Sequence, residues 1–320
     1  MTMTEAGESR RSRRSWTGGA VLLVVGLVAL TGVAGGPDSA AAQEWLETTS
    51  ARQVGGVRSM QMEVEYAAGR LEVRPVGEGL LYEARMRYDA ERFDPVRSFR
   101  REDGTAIVDL GLGTGDGEFN LDLDWSRPDL GLRKLDLQGF EGDPGRMELL
   151  LGRHVPADLR LAVGAAETEL ELGGIPLTRF RMATGASETR IRFGEANPAT
   201  MDELRIQAGA SDFRMEELGN ARFERMRFEG AIGDVTLDFS GAWSHDARAT
   251  VRMGLGSLNL RIPADLGVRL EKATVLTSFS AVGFEQVDGG HQSENWDSAE
   301  HQLELEVDAA FGTIEVERLP

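Results

Sequence analysis

Four arginines return along the chain at steps of 21, 24 and 22 residues: Arg160, Arg181, Arg205 and Arg227. Each sits between two apolar residues, in Leu159-Arg160-Leu161, Phe180-Arg181-Met182, Leu204-Arg205-Ile206 and Met226-Arg227-Phe228. Alternation of this kind belongs to a strand with one buried and one wet face, so the arginines point outward. A guanidinium keeps its charge near neutral pH and offers five donors in a planar fork. It grips carboxylate, phosphate or sulfate with two parallel hydrogen bonds. Strands stacked about 4.8 Å apart would turn the four residues into a column of like charges that needs counter-charges. A second recurring series, Glu167, Glu188, Asp212 and Asp234, could supply them. Either the two series neutralise one another, each exposed pair contributing about 0–1 kcal/mol, or the arginines form a cationic stripe that docks an anionic ligand. The acidity of the chain favours neutralisation. The column is nevertheless the one candidate binding surface in the sequence.

Other chemistry-bearing residues do not form sites. The stretch Gly111-Leu112-Gly113-Thr114-Gly115-Asp116-Gly117 lacks the following helix and Lys-Ser/Thr of a phosphate-binding turn, and reads as a hairpin loop. Asp116, Asp122 and Asp124 carry oxygen ligands suited to calcium, but Asp122 and Asp124 alternate along an apparent strand, so they read as a solvated face. His154, His245, His291 and His301 have neither helical spacing nor cysteine partners, because the chain has no cysteine. No nucleophile-elbow sequence is present. The expectation is no enzyme, with no catalytic residue, cofactor or metal.

The elements that position the arginines are a repeat. Gly164-Ala165-Ala166-Glu167 returns as Gly185-Ala186-Ser187-Glu188, Gly209-Ala210-Ser211-Asp212, Ala231-Ile232-Gly233-Asp234 and Gly254-Leu255-Gly256-Ser257. A period in the low twenties marks a solenoid whose rungs bury apolar faces only against their neighbours. Each repeat of roughly 22 residues reads as two strands around a Gly-Ala corner, the first glycine free to take positive φ. The fold class is all-β: a single-stranded β-helix-like solenoid with a hairpin-rich N-terminal subregion. Within that subregion strands are expected over Leu81–Tyr88, Val96–Arg101, Thr105–Leu110, Glu118–Trp125 and Met147–Leu151, with a turn at Asp103-Gly104. Residues 285–300 read as a decorated loop before the last rung. Trp45, Leu46, Trp243 and Trp296 are candidates to cap the solenoid or anchor a partner.

Arg10, Arg11, Arg13 and Arg14 precede an apolar run from Gly18 to Gly36 and the Ala40-Ala41-Ala42 triplet. This reads as an export signal cleaved before Gln43, with an uncleaved anchor as the alternative. The organisation is then 1–42 signal, 43–56 linker, 57–155 N-terminal subregion and 156–320 repeat solenoid. The whole chain carries a formal charge of −18. Removing the signal's +1 leaves −19, which argues against nucleic acid as a partner. A membrane contact is expected only through the N-terminal segment, if it is retained.

Three passages resemble the toast-rack family, the β-solenoid at the C-terminal end of LiaF-like cell-envelope-stress proteins. They are Val155-Pro156-Ala157-Asp158-Leu159 leading to Val163-Gly164-Ala165-Ala166; the run of Gly-Ala-Ser-Asp phrases; and Leu260-Arg261-Ile262-Pro263-Ala264-Asp265-Leu266, with the later Val282-Gly283-Phe284 and Phe311-Gly312-Thr313-Ile314. The resemblance covers about residues 57–320. It implies an envelope-associated interaction, scaffold or stress-related protein without catalysis, periplasmic or at the cell surface. The expected partner is an envelope protein or an anionic envelope polymer. A surface-exposed adhesin-like binder is the alternative, and a polysaccharide hydrolase a remote one.

Overall fold

The protein is described by a computed structural model over residues 44–77, 79–114 and 145–320. The expected signal, Asp116, Asp122, Asp124 and the strand expected over 118–125 lie outside the described residues. Within them the chain is almost wholly strand: β1 Trp45–Gln53, β2 Ser59–Val76, β3 Leu80–Asp89, β4 Phe93–Glu102, β5 Thr105–Thr114, β6 Arg146–Gly152, β7 Ala157–Glu171, β8 Leu177–Arg192, β9 Glu203–Glu216, β10 Arg225–Asp238, β11 Ala247–Pro263, β12 Gly267–Ala281, β13 Phe284–Val287, β14 Gly290–Ser293 and β15 Gln302–Leu319. The all-β reading holds. The segment read as a linker, 43–56, instead contains β1, which pairs antiparallel with β3. Its Trp45 ring lies under the Arg87 guanidinium, 3.9 Å away.

Each repeat contributes one long strand that bends at the Gly-Ala phrase, where two separate strands were expected. The bend shows in the partners of β2. Its first half pairs with β5 and its second half with β6, while its whole length pairs with β7. From β7 to β11 the strands stack in parallel, so the molecule has two facing arms with the core between them. Phe213 on the second arm of β9 meets Phe228 on the first arm of β10 edge-on, with ring centroids 5.2 Å apart. Along the first arm Leu159, Phe180, Leu204 and Met226 share one register column, all buried. Each such side chain contributes roughly 1.5–3 kcal/mol.

The corner works differently from the sequence expectation. The phrase-initial glycines Gly164, Gly185, Gly209 and Gly254 are not the left-handed ones. Positive φ falls two positions further on, at Gly233 (+142°), Gly256 (+140°) and Gly312 (+132°). These three stack in register. A β-carbon on Gly256 would lie 1.9 Å from the Gly233 carbonyl oxygen, so only glycine allows the rungs to nest there. In the turns between rungs, Asn197 donates to the carbonyls of Leu177 and Ala221, and Asn220 to that of Phe193. These bonds satisfy backbone groups that burial would otherwise strand.

The strand order at the C-terminal end departs from chain order. β15 slots between β11 and β12, leaving β12 the last long strand, with only the short β14 and β13 beyond it. The rung after the 285–300 segment is therefore not the last in space. Register explains the choice, because Lys272 of β12 occupies the core-facing position held by Val307 in β15. A lysine there suits only an outer strand, where its ammonium stays wet over the Phe279 ring, 3.8 Å from the centroid. Within 285–300, β13 and β14 form a hairpin, and β14 pairs with β12 at Arg269 and Leu270 only.

Candidate functional site

Parallel registers bring Arg160, Arg181, Arg205 and Arg227 into a single column on the outer face of the first arm. The same column continues to Glu63 and Asp109 on one side, and to Thr250, Glu306 and Glu271 on the other. Acids therefore bracket the arginines at both ends. At the β2 end Glu65 crowds Glu63 and Asp109, and burial first, then those two charges, raises its carboxyl pKa.

The series Glu167, Glu188, Asp212 and Asp234 does not neutralise the column. Glu167, Glu188 and Asp212 form their own in-register ladder on the second arm, beyond the corner, where Glu167 pairs with Arg70 at 2.5 Å. The counter-charges come from neighbouring columns of the same arm, offset by two residues along each strand. Asp158 lies 3.8 Å from Arg160, 3.5 Å from Arg179 and 4.0 Å from Arg181. Arg181 Nε donates to Glu203 at 2.9 Å. Arg205 and Glu229 form a pair 3.7 Å apart, 9% and 6% exposed. Glu229 also accepts from Gln207 at 3.1 Å and faces Arg252 at 3.9 Å.

Neutralisation stops at the fourth member. Arg227 is exposed, as is Arg225 on the same strand, and among the described residues neither has a carboxylate within ion-pair distance. Arg225, but not Arg227, lines a groove of about 660 Å³ whose wall also includes Arg222, Arg248 and His245 and the acids Glu224, Asp246 and Glu304. Several of its polar groups are already held. Arg222 donates to the Asn197 carbonyl and the Ser244 hydroxyl, each at 3.2 Å, and Arg248 pairs with Glu304 at 2.5 Å. Arg225 and Arg227 have no such partner among the described residues. Sequence reading found Arg227 but not Arg225, although Arg225-Met226-Arg227 carries the alternation that would have shown it.

The groove also contains a serine, a histidine and an aspartate, without the geometry of a nucleophilic relay. Ser244 Oγ lies 3.1 Å from His245 Nδ1, but His245 Nε2 meets the Phe223 carbonyl at 3.1 Å. Asp246 accepts from the Gln302 amide instead of orienting the imidazole. His154, His291 and His301 are not brought into the groove, and among the described residues no cluster of ligating side chains fits a metal ion. Trp243 and Trp296 both make contacts within the fold, and Trp296 also lines the groove. Trp243 donates to the Phe239 carbonyl at 2.8 Å, and Trp296 is buried under Arg269. A further feature escaped the sequence: Ile232, Leu255, Phe311 and Leu276 stack in register along the outside of the corner, each about half exposed or more.

Among the described residues no helix is long and apolar enough to cross a membrane. No curated protein matches the chain. Solved structures of similar overall course include a protein provisionally named as a cell adhesion protein from Clostridium sporogenes, with 13% identity and a TM-score of 0.45, covering 85% of this chain and 99% of that one. A provisionally named adhesin from Bacteroides fragilis has 8% identity and a TM-score of 0.34, covering 86% and 98%. A provisionally named lipid binding protein from Parabacteroides distasonis has 10% identity and a TM-score of 0.30, covering 85% and 97%. The family described as the N-terminal domain of toast_rack, DUF2154, matches residues 40–203 and 197–261, more than half of the chain. The stacked, corner-bent strands and this match together make the chain a member of the toast-rack family.

Proposed function

We propose that this toast-rack protein is an exported, non-catalytic interaction module of the cell envelope that captures an acidic group of its partner at the free end of the arginine column. The observation that carries this reading is a contrast along the first arm. Arg160, Arg181 and Arg205 are neutralised by Asp158, Glu203 and Glu229, whereas Arg227 and its strand neighbour Arg225, which lines the groove, stand exposed. A uniformly structural column would have its counter-charges throughout. Two uncommitted guanidinium groups on one strand can grip a carboxylate, phosphate or sulfate with paired hydrogen bonds. The partner is an envelope protein or an anionic envelope polymer.

The test is a crosslinking pull-down from native envelope material with the exported protein as bait. An Arg225→Gln/Arg227→Gln variant runs beside it, with Arg160→Gln as control. Loss of capture by the double variant alone supports the site. Equal capture by all three places binding elsewhere on the molecule, and an empty pull-down leaves the scaffold role without support.

A further inference from the structure

Past Leu270, β12 pairs on one side only, with β15. Its other edge presents unpaired main-chain groups, the feature that in other proteins recruits a further strand. From Ala273 to its end at Ala281 this edge carries no charged residue, in a chain that is 28% Asp, Glu, Lys and Arg. The remaining outer strands are protected in the usual way. β4 carries Pro95, Arg97, Arg100 and Arg101; β1 carries Glu47 and Arg52; β13 carries Glu285. On β12 itself the protection ends at Lys272 and at the short contact with β14.

The edge also has an internal symmetry. Leu276 and Val282 are 69% and 73% exposed, more than any other large apolar side chain among the described residues, and they flank Phe279 at equal distances in sequence. Antiparallel pairing of two β12 edges centred on Phe279 aligns residues 277–281 of each copy and, at either end of that ladder, brings Leu276 up to Val282, the first residue of the turn after β12 in the other. It likewise sets Ser278 opposite Ser280. Directly opposed residues of an antiparallel pair share a face, so the serines lie side by side and the exposed apolar side chains meet at the two ends of the ladder.

We infer that the second-arm half of β12 is a self-docking edge, through which two copies pair antiparallel about a two-fold axis and continue the second-arm sheet from one molecule into the other. A second copy fits this edge better than a charged partner does. The edge offers no counter-charge, and two molecules of charge −18 approach most readily where their local charge is zero. The pairing is isologous, so it closes at two copies and leaves no free β12 edge.

Sedimentation of the exported protein from about 1 to about 200 µM should show a concentration-dependent dimer. Leu276→Glu, at an exposed position that the fold does not need, should weaken it at least about tenfold. The chain lacks cysteine, so crosslinks report register directly. A mixture of Ser278→Cys and Ser280→Cys copies should form an intermolecular disulfide faster than either variant alone. A protein that stays monomeric throughout, a dimer indifferent to Leu276→Glu, or equal crosslinking in every combination overturns the proposal. So does a monomer that instead binds phosphatidylcholine vesicles through Leu276.

Discussion

Replacing Arg205 by Gln should destabilise the protein far more than the same change at Arg227, although the two residues are neighbours in one column. Arg205 and Glu229 are almost fully buried and form an ion pair 3.7 Å apart. Removing one member of a buried pair typically costs about 3–5 kcal/mol, because the other charge remains desolvated without its partner. Glu229 keeps Gln207 at 3.1 Å and the half-exposed Arg252 at 3.9 Å, which lowers the expected cost to about 2–3 kcal/mol. In a domain of this size that is a fall in Tm of about 5–10 °C. Arg227 has no such pair, and its replacement should stay within about 0.5 kcal/mol. The double variant Arg205→Gln/Glu229→Gln should recover part of the loss, since no buried charge is then stranded. Urea unfolding followed by tryptophan fluorescence, compared at the midpoint, reads all three. Equal destabilisation at Arg205 and Arg227, or an unmoved midpoint for Arg205→Gln, would refute the division of the column into a structural part and a free end.

Three further outcomes follow from two glycines and from the acidic end of the column. Gly256→Ala should cost at least about 3 kcal/mol, because strain at φ +140° adds to a β-carbon 1.9 Å from the Gly233 carbonyl oxygen. Gly77→Ala, with no atom within 4 Å, should be neutral or stabilising by up to about 1 kcal/mol, and paired thermal melts check both. Glu65→Gln should raise Tm at pH 7. The folded state holds the Glu65 proton more tightly than the unfolded chain, so the wild type loses stability as pH climbs from the ordinary carboxylate range through the raised value. The advantage of the variant should close below about pH 4, and an advantage that persisted there would refute its electrostatic origin.

Much of the fold was legible because each rung solves the same burial problem with the same pattern. The alternation around Arg160, Arg181, Arg205 and Arg227 specified which residues face the core. The repeat spacing brought the four into one column, as the strand registers show. Period-two patterning and fixed repeat length are local properties, so the amino-acid sequence by itself determined the all-β class, the stacking of rungs and the arginine column.

What the tertiary structure decided depends on the angle and order in which rungs meet. That Asp158, Glu203 and Glu229 neutralise the arginines, and Glu188 and Asp212 do not, follows from the bend that sends the two series onto different arms. The groove beside Arg225 forms where inter-rung turns meet the residues leading into β15, more than fifty positions later in the chain. β15 lies inside β12 because a core column accepts Val307 and rejects Lys272, a competition between two segments for one place. Such choices are settled by long-range packing and desolvation, which act between residues that no local pattern connects.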